Sequence, residues 1–134
     1  MDAPQRQVSD TELEVLQVLW ASGPCTIRHL TDTLYPGGGP PKYWTVQKLL
    51  ERLEEKGYVR RDRSGPAHTF SATVDREEMI GRRLRDVAEK LCGGSLTPLL
   101  THLMRNRPLS TKERQELRQL IDDLDQNQDR GKAR

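Results

Sequence analysis

The side chains best suited to recognising another molecule lie at the start of one predicted helix. The amide of Gln47 can pair with adenine through two hydrogen bonds, and the ammonium of Lys48 can reach the acceptor atoms of guanine. The methyl group of Thr45 can contact the methyl group of thymine. Residues at the N-terminal end of the second helix of a helix-turn-helix meet base edges in this way. We therefore predict four base-reading residues: Trp44, Thr45, Gln47 and Lys48.

Apolar residues on the opposite side of this segment predict the helix that positions these groups. They recur with the i, i+3, i+4, i+7 spacing of one buried helix face, at Val46, Leu49, Leu50 and Leu53. Gly57 can end the helix, which we expect to cover roughly residues 43–56. Trp44 has two interpretations. It packs on sugars and thymine methyl groups, or it folds back onto the first helix as part of the core.

A short basic hairpin, residues 58–72, follows the helix and is called the wing below. Its two apolar ends bracket an arginine-rich segment with a glycine-proline turn. Because alternate strand residues face opposite sides, we expect Arg61 and Arg63 to share one face and Arg60 to take the other. Arginine in a wing contacts phosphate or the minor groove. We assign five residues to the wing and DNA-backbone contacts: Lys42, Arg52, Arg61, Arg63 and His68.

Two further helices are predicted before the base-reading helix. Ser9 and Glu12 have the spacing of a capping box at the start of the first, and Thr26 can cap the second, over residues 27–35. Residues 36–41 are rich in glycine and proline and predict a flexible linker. This linker is longer than the three or four residues that usually join the two helices of a helix-turn-helix.

Three amphipathic helices without a strand are predicted in the C-terminal half. Each has one apolar stripe that needs an apolar neighbour. The stripes either cover one another within one chain or interleave with those of a second chain. We favour a dimer because a two-fold symmetric protein matches a palindromic DNA site. Nine residues are assigned to the dimer interface: Leu84, Val87, Leu91, Leu99, Leu103, Leu117, Leu120, Ile121 and Leu124.

The expected architecture is mostly α-helical with a small β-hairpin wing. Residues 1–8 are expected to be disordered, 9–73 to form a winged helix-turn-helix domain, 74–125 a helical dimerisation domain, and 126–134 a disordered tail. The net charge of the 134-residue chain is only +2. However, the segment 37–72 carries seven basic and four acidic residues, which gives the predicted DNA-binding half a basic surface.

Motifs of enzymes, metal sites and membrane proteins are missing from the sequence. The glycines at 37–39 lack the following lysine and the preceding strand of a phosphate-binding loop. Cys25 and His29 are too few ligands for a metal, so we expect a non-enzyme without metal or cofactor. No apolar run approaches the ~20 residues of a membrane span, and two cysteines cannot make a disulfide framework. We expect a reduced cytoplasmic protein without membrane insertion.

The chain resembles the penicillinase repressor family, which includes methicillin-resistance and copper-pump repressors. Four segments carry the resemblance: LEVLQVLW (13–20), TVQKLLERLEEKGYV (45–59), HTFSA (68–72) and LCGG (91–94). It covers about residues 8–124. The resemblance implies a homodimeric winged-helix repressor that covers an inverted-repeat operator and blocks transcription. A membrane sensor protease is a candidate partner on the same ground.

The sequence departs from the family pattern at several positions. Trp44 and Gln47 stand where the family often has basic residues. The β-lactam-responsive members are cut at an Asn-Phe bond, and the corresponding region, 99–103, has none. The copper-responsive members end in a cysteine cluster, which this sequence lacks. The operator, the inducing signal and the mode of release therefore stay open.

Two functional hypotheses follow. The first is a sequence-specific, DNA-binding transcriptional repressor that acts as a homodimer on an inverted-repeat operator. The second is a winged-helix protein–protein interaction module without direct DNA binding. The near-neutral net charge motivates the second, together with three glutamates in the base-reading helix: Glu51, Glu54 and Glu55.

Overall fold

The computed structural model describes the backbone of residues 7–132 and the side chains of residues 7–128. Within this range the chain forms six helices and one three-stranded antiparallel sheet, so it is mostly α-helical with a small wing, as predicted. It divides into two compact units, Met1–Arg83 and Leu84–Arg134. Part of the disorder expected at the two ends falls on residues 1–6 and 133–134, which lie outside the described residues. None of the described helices is long and apolar enough to cross a membrane.

The first unit contains three helices: α1 (Asp10–Ser22), α2 (Ile27–Leu34) and α3 (Gly39–Lys56). The predicted capping box at α1 is confirmed. The Ser9 hydroxyl accepts from the backbone N–H of Glu12, and the Glu12 carboxylate accepts from the Ser9 N–H. The predicted cap of α2 is also confirmed, since the Thr26 hydroxyl accepts from the backbone N–H of His29.

The connection between α2 and α3 is shorter than predicted. It comprises residues 35–38, so the long flexible linker over 36–41 is wrong. The first turn of α3 accommodates Pro40 and Pro41 because backbone N–H groups have no helical partner there. Gly38 leaves room for the side chain of Lys42, which would collide with any Cβ at that position. A four-residue connection has the length usual for a helix-turn-helix.

The sheet fixes the wing to the helices. Its strands are β1 (Cys25–Thr26), β2 (Val59–Asp62) and β3 (Thr69–Ala72), in the order β1-β3-β2. Phe70 of β3 lies between Cys25 and Arg61 in the antiparallel register. The sequence analysis missed β1 because two residues are too few to show an alternating pattern. Through β1, the wing is joined to the residues that begin α2.

The core of the first unit packs α1, α2 and α3 against the sheet. Val8 is buried in it, so the disorder predicted for residues 1–8 is wrong at this residue. The backbone carbonyl of Val8 accepts a hydrogen bond from the guanidinium of Arg83, which holds the segment before α1 in place. Other buried members are Val15, Leu16, Leu19, Leu30, Val46, Leu50, Leu53, Tyr58, Val59, Phe70 and Val74.

Three more helices complete the chain: α4 (Arg76–Cys92), α5 (Thr97–Asn106) and α6 (Thr111–Lys132). The Asp75 carboxylate accepts from the backbone N–H of Glu78 at the start of α4. Ser110 and Glu113 form a capping box at the start of α6. The tail predicted to be disordered from residue 126 is helical as far as Lys132, because most of its residues are polar helix formers and no proline interrupts them.

Most of the predicted dimer residues are exposed in the second unit. Leu99 and Leu117 are half-buried, and Ala88 of the same half is buried. Much of the apolar stripes is therefore left exposed in the single chain. The exposed members are Leu84, Val87, Leu91, Leu103, Leu120, Ile121 and Leu124.

Candidate nucleic-acid interface

The outer face of α3 presents all four predicted base-reading residues. Val46, Leu49, Leu50 and Leu53 are buried, as the sequence pattern predicted, and their burial fixes the rotation of the helix. The other side of the same turns is therefore turned to solvent. The side chains exposed on it near the N-terminal end are Trp44, Thr45, Gln47 and Lys48.

Trp44 is not part of the core, which resolves its two interpretations in favour of the exposed one. Its side chain is 66% exposed. It borders a cavity of about 310 Å³ between α2 and the first turns of α3. The remaining lining residues are Arg28, Thr31, Asp32, Gly39, Pro40 and Tyr43. Most of the aromatic surface of Trp44 is therefore open to solvent.

The hydroxyl of Thr45 is engaged within its own helix. It donates to the backbone carbonyl of Pro41, with 3.0 Å between the oxygens. This hydrogen bond uses the only hydroxyl proton of Thr45. What Thr45 can offer a partner is therefore its methyl group and its acceptor lone pairs. A methyl contact with thymine, as the sequence analysis proposed, is compatible with this geometry.

Lys42 is held at the start of α3 but remains exposed. Its ammonium lies 4.8 Å from the ring centroid of Tyr35, in the turn before the helix. A cation over an aromatic ring is restrained in direction and keeps its charge. Lys42 is thus placed beside the base-reading residues, where a phosphate contact is expected. Arg52, two turns further along α3 from Thr45, is also exposed.

The side chain of Arg61 lies on the core side of the sheet, which contradicts its predicted role at the DNA. It pairs in register with the buried Phe70, so both side chains lie on the core side of the sheet. The guanidinium lies 3.1 Å from the Glu54 carboxylate of α3 and 4.9 Å from the centroid of the Phe70 ring. The prediction failed because the sequence does not show which strand face is buried. The partner strand decides it.

The outer side of the wing carries Arg60, with Arg63 and His68 exposed near its tip. Arg60 therefore lies on the face opposite Arg61, as predicted, but this is the outer face, and the sequence analysis did not include Arg60 among the DNA-contacting residues. The sequence alone could not identify this face, because the adjacent Tyr58 and Val59 are both apolar and buried, so alternation is compatible with either choice. Asp62 shares the outer side. Its carboxylate accepts from the backbone N–H of Ser64, and this hydrogen bond lowers the pKa of Asp62.

Acidic residues interrupt the basic surface of α3. Glu51 and Glu55 are exposed further along the helix, on the same side as Lys48. They favour a docking geometry in which only the N-terminal part of α3 approaches phosphates, since carboxylates repel them. Outside α3, Arg28 of α2 and Arg60 and Arg63 of the wing are exposed basic residues of the first unit.

Among the described residues, no group of three or more His, Cys, Asp or Glu side chains is placed to hold a metal ion. Cys25 is buried, and this burial raises the pKa of its thiol. Its sulfur donates to the backbone carbonyl of Gly23. A neutral thiol with an internal hydrogen-bond partner stabilises the chain around β1 and is a poor nucleophile.

Comparisons with known proteins identify one family. The family model described as "Penicillinase repressor" matches residues 8–123. A penicillinase repressor of Bacillus licheniformis is 26% identical over 118 residues, which cover 87% of this chain and 91% of the relative. The methicillin resistance regulatory protein MecI of Staphylococcus aureus strain N315 is 21% identical over 124 residues, 90% of this chain and 98% of the relative. The transcriptional regulator BlaI of Mycobacterium tuberculosis is 26% identical over 121 residues, 89% and 86% of the two chains.

The family match spans both units, from the buried Val8 to the middle of α6. It therefore includes the base-reading helix, the wing and the exposed apolar helices together. The chain belongs to the penicillinase repressor family of transcriptional regulators.

Proposed function

We propose that this protein represses transcription by binding an inverted-repeat operator as a homodimer. Each protomer inserts the N-terminal part of α3 into the major groove of one half-site, and the wing contacts the adjacent DNA backbone. In this arrangement, the protein blocks the promoter by occupying it. The half-sites lie about one helical turn of DNA, roughly 34 Å, or a multiple of it apart.

The observation that supports this proposal most directly is the exposed row at the start of α3. Gln47 and Lys48 project from a helix whose opposite face is locked in the core. Neither side chain has a hydrogen-bond or ion-pair partner among residues 7–128, whose side chains the structure describes. Polar groups that are held in place but unpaired are ready to bond an external partner. The amide and ammonium groups match the acceptor and donor atoms of bases in the major groove.

Contacts with the DNA backbone would come from basic side chains on both sides of Gln47 and Lys48. Lys42, Arg52, Arg60 and Arg63 are exposed and belong to α3 or the wing. Neutralised phosphates release counterions, so the affinity should fall steeply as the salt concentration rises. These contacts position the protein on any duplex, whereas the base-reading residues select the sequence.

The homodimer is proposed from the exposed apolar residues of the second unit. Leucine, isoleucine and valine side chains on three helices are left in water by a single chain. An exposed apolar surface of this kind marks an interaction site. A second copy covers it with an identical surface, as in two-fold symmetric dimers, and gives two α3 helices for the two halves of an inverted repeat.

Selection of DNA by the full-length protein tests the proposed function. The protein is incubated with a library of random-sequence duplexes, and bound molecules are amplified over several rounds at moderate salt. We expect enrichment of one inverted repeat, with a mobility shift that weakens as salt is raised. A library that stays random after selection, with equal binding to every duplex, would contradict sequence-specific repression.

A protein-interaction module is the second candidate, and the exposed Glu51 and Glu55 on α3 favour it. In that case, α3 would bind a basic surface of another protein. The discriminating observation is the mobility shift at low salt, where electrostatic DNA binding is strongest. Absence of any shift under this condition would support the interaction module and exclude the repressor mechanism.

A further inference from the structure

Trp44 and the cavity beside it lie where the proposed docking brings the duplex. In a helix-turn-helix, the N-terminal residues of the second helix meet base edges while the first helix crosses the backbone. The cavity of about 310 Å³ lies between these same two elements, α2 and the first turns of α3. In this docking, a group on a base edge that projects into the major groove opposite α2 and the first turns of α3 would face the cavity.

The lining of the cavity favours an uncharged, apolar group. Trp44, Tyr43 and Pro40 supply ring surfaces. Arg28 and Asp32 of α2 add one positive and one negative charge, which offset each other. The carboxylate of Asp32 disfavours a phosphate inside the cavity. Among the groups in the major groove, the 5-methyl group of thymine is the apolar one.

We propose that Trp44 and this cavity form a pocket for the 5-methyl group of one thymine in each operator half-site. The inference rests on the proposed function, and it makes Trp44 a specificity-determining residue. Thymine at that position is bound more tightly than any pyrimidine without the methyl group. Contact of Trp44 with deoxyribose alone would give no such preference, since every nucleotide of DNA carries the same sugar.

Replacement of thymine by deoxyuridine tests the proposal, because the two bases differ only by the methyl group. The duplex is the one selected by the wild-type protein, and each thymine is replaced in turn. Burial of one methyl group corresponds to roughly fourfold in affinity. We expect about a fourfold loss at the thymine that Trp44 contacts in each half-site, and equal binding of thymine and deoxyuridine at that position by Trp44→Ala, whereas any preference due to the Thr45 methyl group would persist in this variant.

Gln47→Ala serves as the matched control on the same helix face. It should bind more weakly but keep the fourfold preference for thymine. Circular dichroism should show an unchanged fold for Trp44→Ala, because this side chain is exposed and makes no core contact. Trp44→Phe should keep part of the preference.

Two results would overturn the inference while the proposed function stands. The wild-type protein would bind the selected duplex and its deoxyuridine versions equally, or Trp44→Ala would retain the full preference. Failure of the proposed function has a different signature, which is that the wild-type protein selects no duplex at all. That result would overturn the thymine pocket as well.

Discussion

The ammonium of Lys56 lies 2.6 Å from the carboxylate of Glu12, so an ion pair links the last turn of α3 to the first turn of α1. The same ammonium donates to the backbone carbonyl of Gln7. Glu12 is only 1% exposed and also accepts from the Ser9 N–H. One carboxylate therefore caps α1 and anchors the base-reading helix. Its second oxygen, Oε2, is buried without a hydrogen-bond partner among the described residues.

Lys56→Met should lower the free energy of unfolding by about 3 kcal/mol, because it leaves the Glu12 carboxylate buried without its counter-charge. Urea denaturation followed by circular dichroism measures the change. Lys90→Met is the matched control, since Lys90 is exposed and pairs with Asp86 on the helix surface. It should change the stability by less than about 0.5 kcal/mol. Equal effects of the two substitutions would contradict a stabilising role for the Lys56–Glu12 pair.

The stability should decrease in acid through Glu12. Burial alone would raise the pKa of Glu12, but hydrogen bonds from Lys56 and Ser9, with the attraction of the Lys56 charge, hold this pKa below its ordinary value of 4.5. A pKa that is lower in the folded state adds stability above 4.5 and loses it as the pH falls toward the folded-state value. Urea midpoints between pH 3 and 7 measure the loss. Glu12→Gln, which cannot ionise, should have a flatter profile at the acid end.

Arg61→Ala should lower the stability of the fold, whereas Arg63→Ala should weaken DNA binding. Loss of the Arg61 contacts with Glu54 and Phe70 should lower the stability by about 1 kcal/mol. Arg63 is exposed, so its removal should leave the stability unchanged. Removal of Arg63 should instead weaken binding to all duplexes alike. It should also reduce the salt dependence of the affinity by the amount expected for the loss of about one phosphate contact. Thermal unfolding and salt-dependent mobility shifts measure the two quantities. If Arg61→Ala instead weakened DNA binding and left the stability unchanged, Arg61 would face the DNA.

Lys48→Ala should weaken operator binding by about 1–3 kcal/mol and relax the base preference at one position of each half-site. Fluorescence anisotropy with the selected operator and its single-base variants gives both quantities. Lys112→Ala removes the same charge from α6, where the side chain is exposed and distant in sequence from the base-reading residues. Its affinity should equal that of the wild type. A Lys48→Ala protein with wild-type affinity would show that α3 does not read bases through this side chain.

Replacement of Leu120 and Leu124 by lysine should dissociate the proposed dimer, because both leucines are exposed on the apolar side of α6. Sedimentation velocity measures the oligomeric state. The control exchanges Gln115 and Gln126, on the opposite side of the same helix, for lysine. The control protein should remain dimeric. Monomers of the wild-type protein at micromolar concentration would refute the dimer outright.

Local rules predicted much of the fold. The capping boxes of α1 and α6 depend only on residues three apart, so Ser9 with Glu12 and Ser110 with Glu113 could be recognised without a structure. The buried face of α3 was equally predictable, because its rotation follows from the spacing of four apolar residues.

The incorrect predictions depended on residues distant in sequence. Arg61 was assigned to the DNA because only its pairing with Phe70 shows that it faces inward. Val8 was expected to be disordered because the core that receives it, and the guanidinium of Arg83, lie far along the chain. The late start predicted for α3 is, in contrast, a local error: the whole glycine- and proline-rich run 36–41 was assigned to a linker, although the first helical turn tolerates proline.

The paired prolines at the start of α3 limit how the helix can hold an anion. A helix usually offers free backbone amides at its N-terminal end. Here Pro40 and Pro41 have no N–H, and the amide of Gly38 donates to the carbonyl of Tyr35. Among residues 38–41, only Gly39 therefore has a backbone N–H that is free to bind an anion. If this helix end binds a phosphate as proposed, it would depend mainly on a charged side chain, of which Lys42 is the nearest in sequence, so that a single substitution would remove the contact.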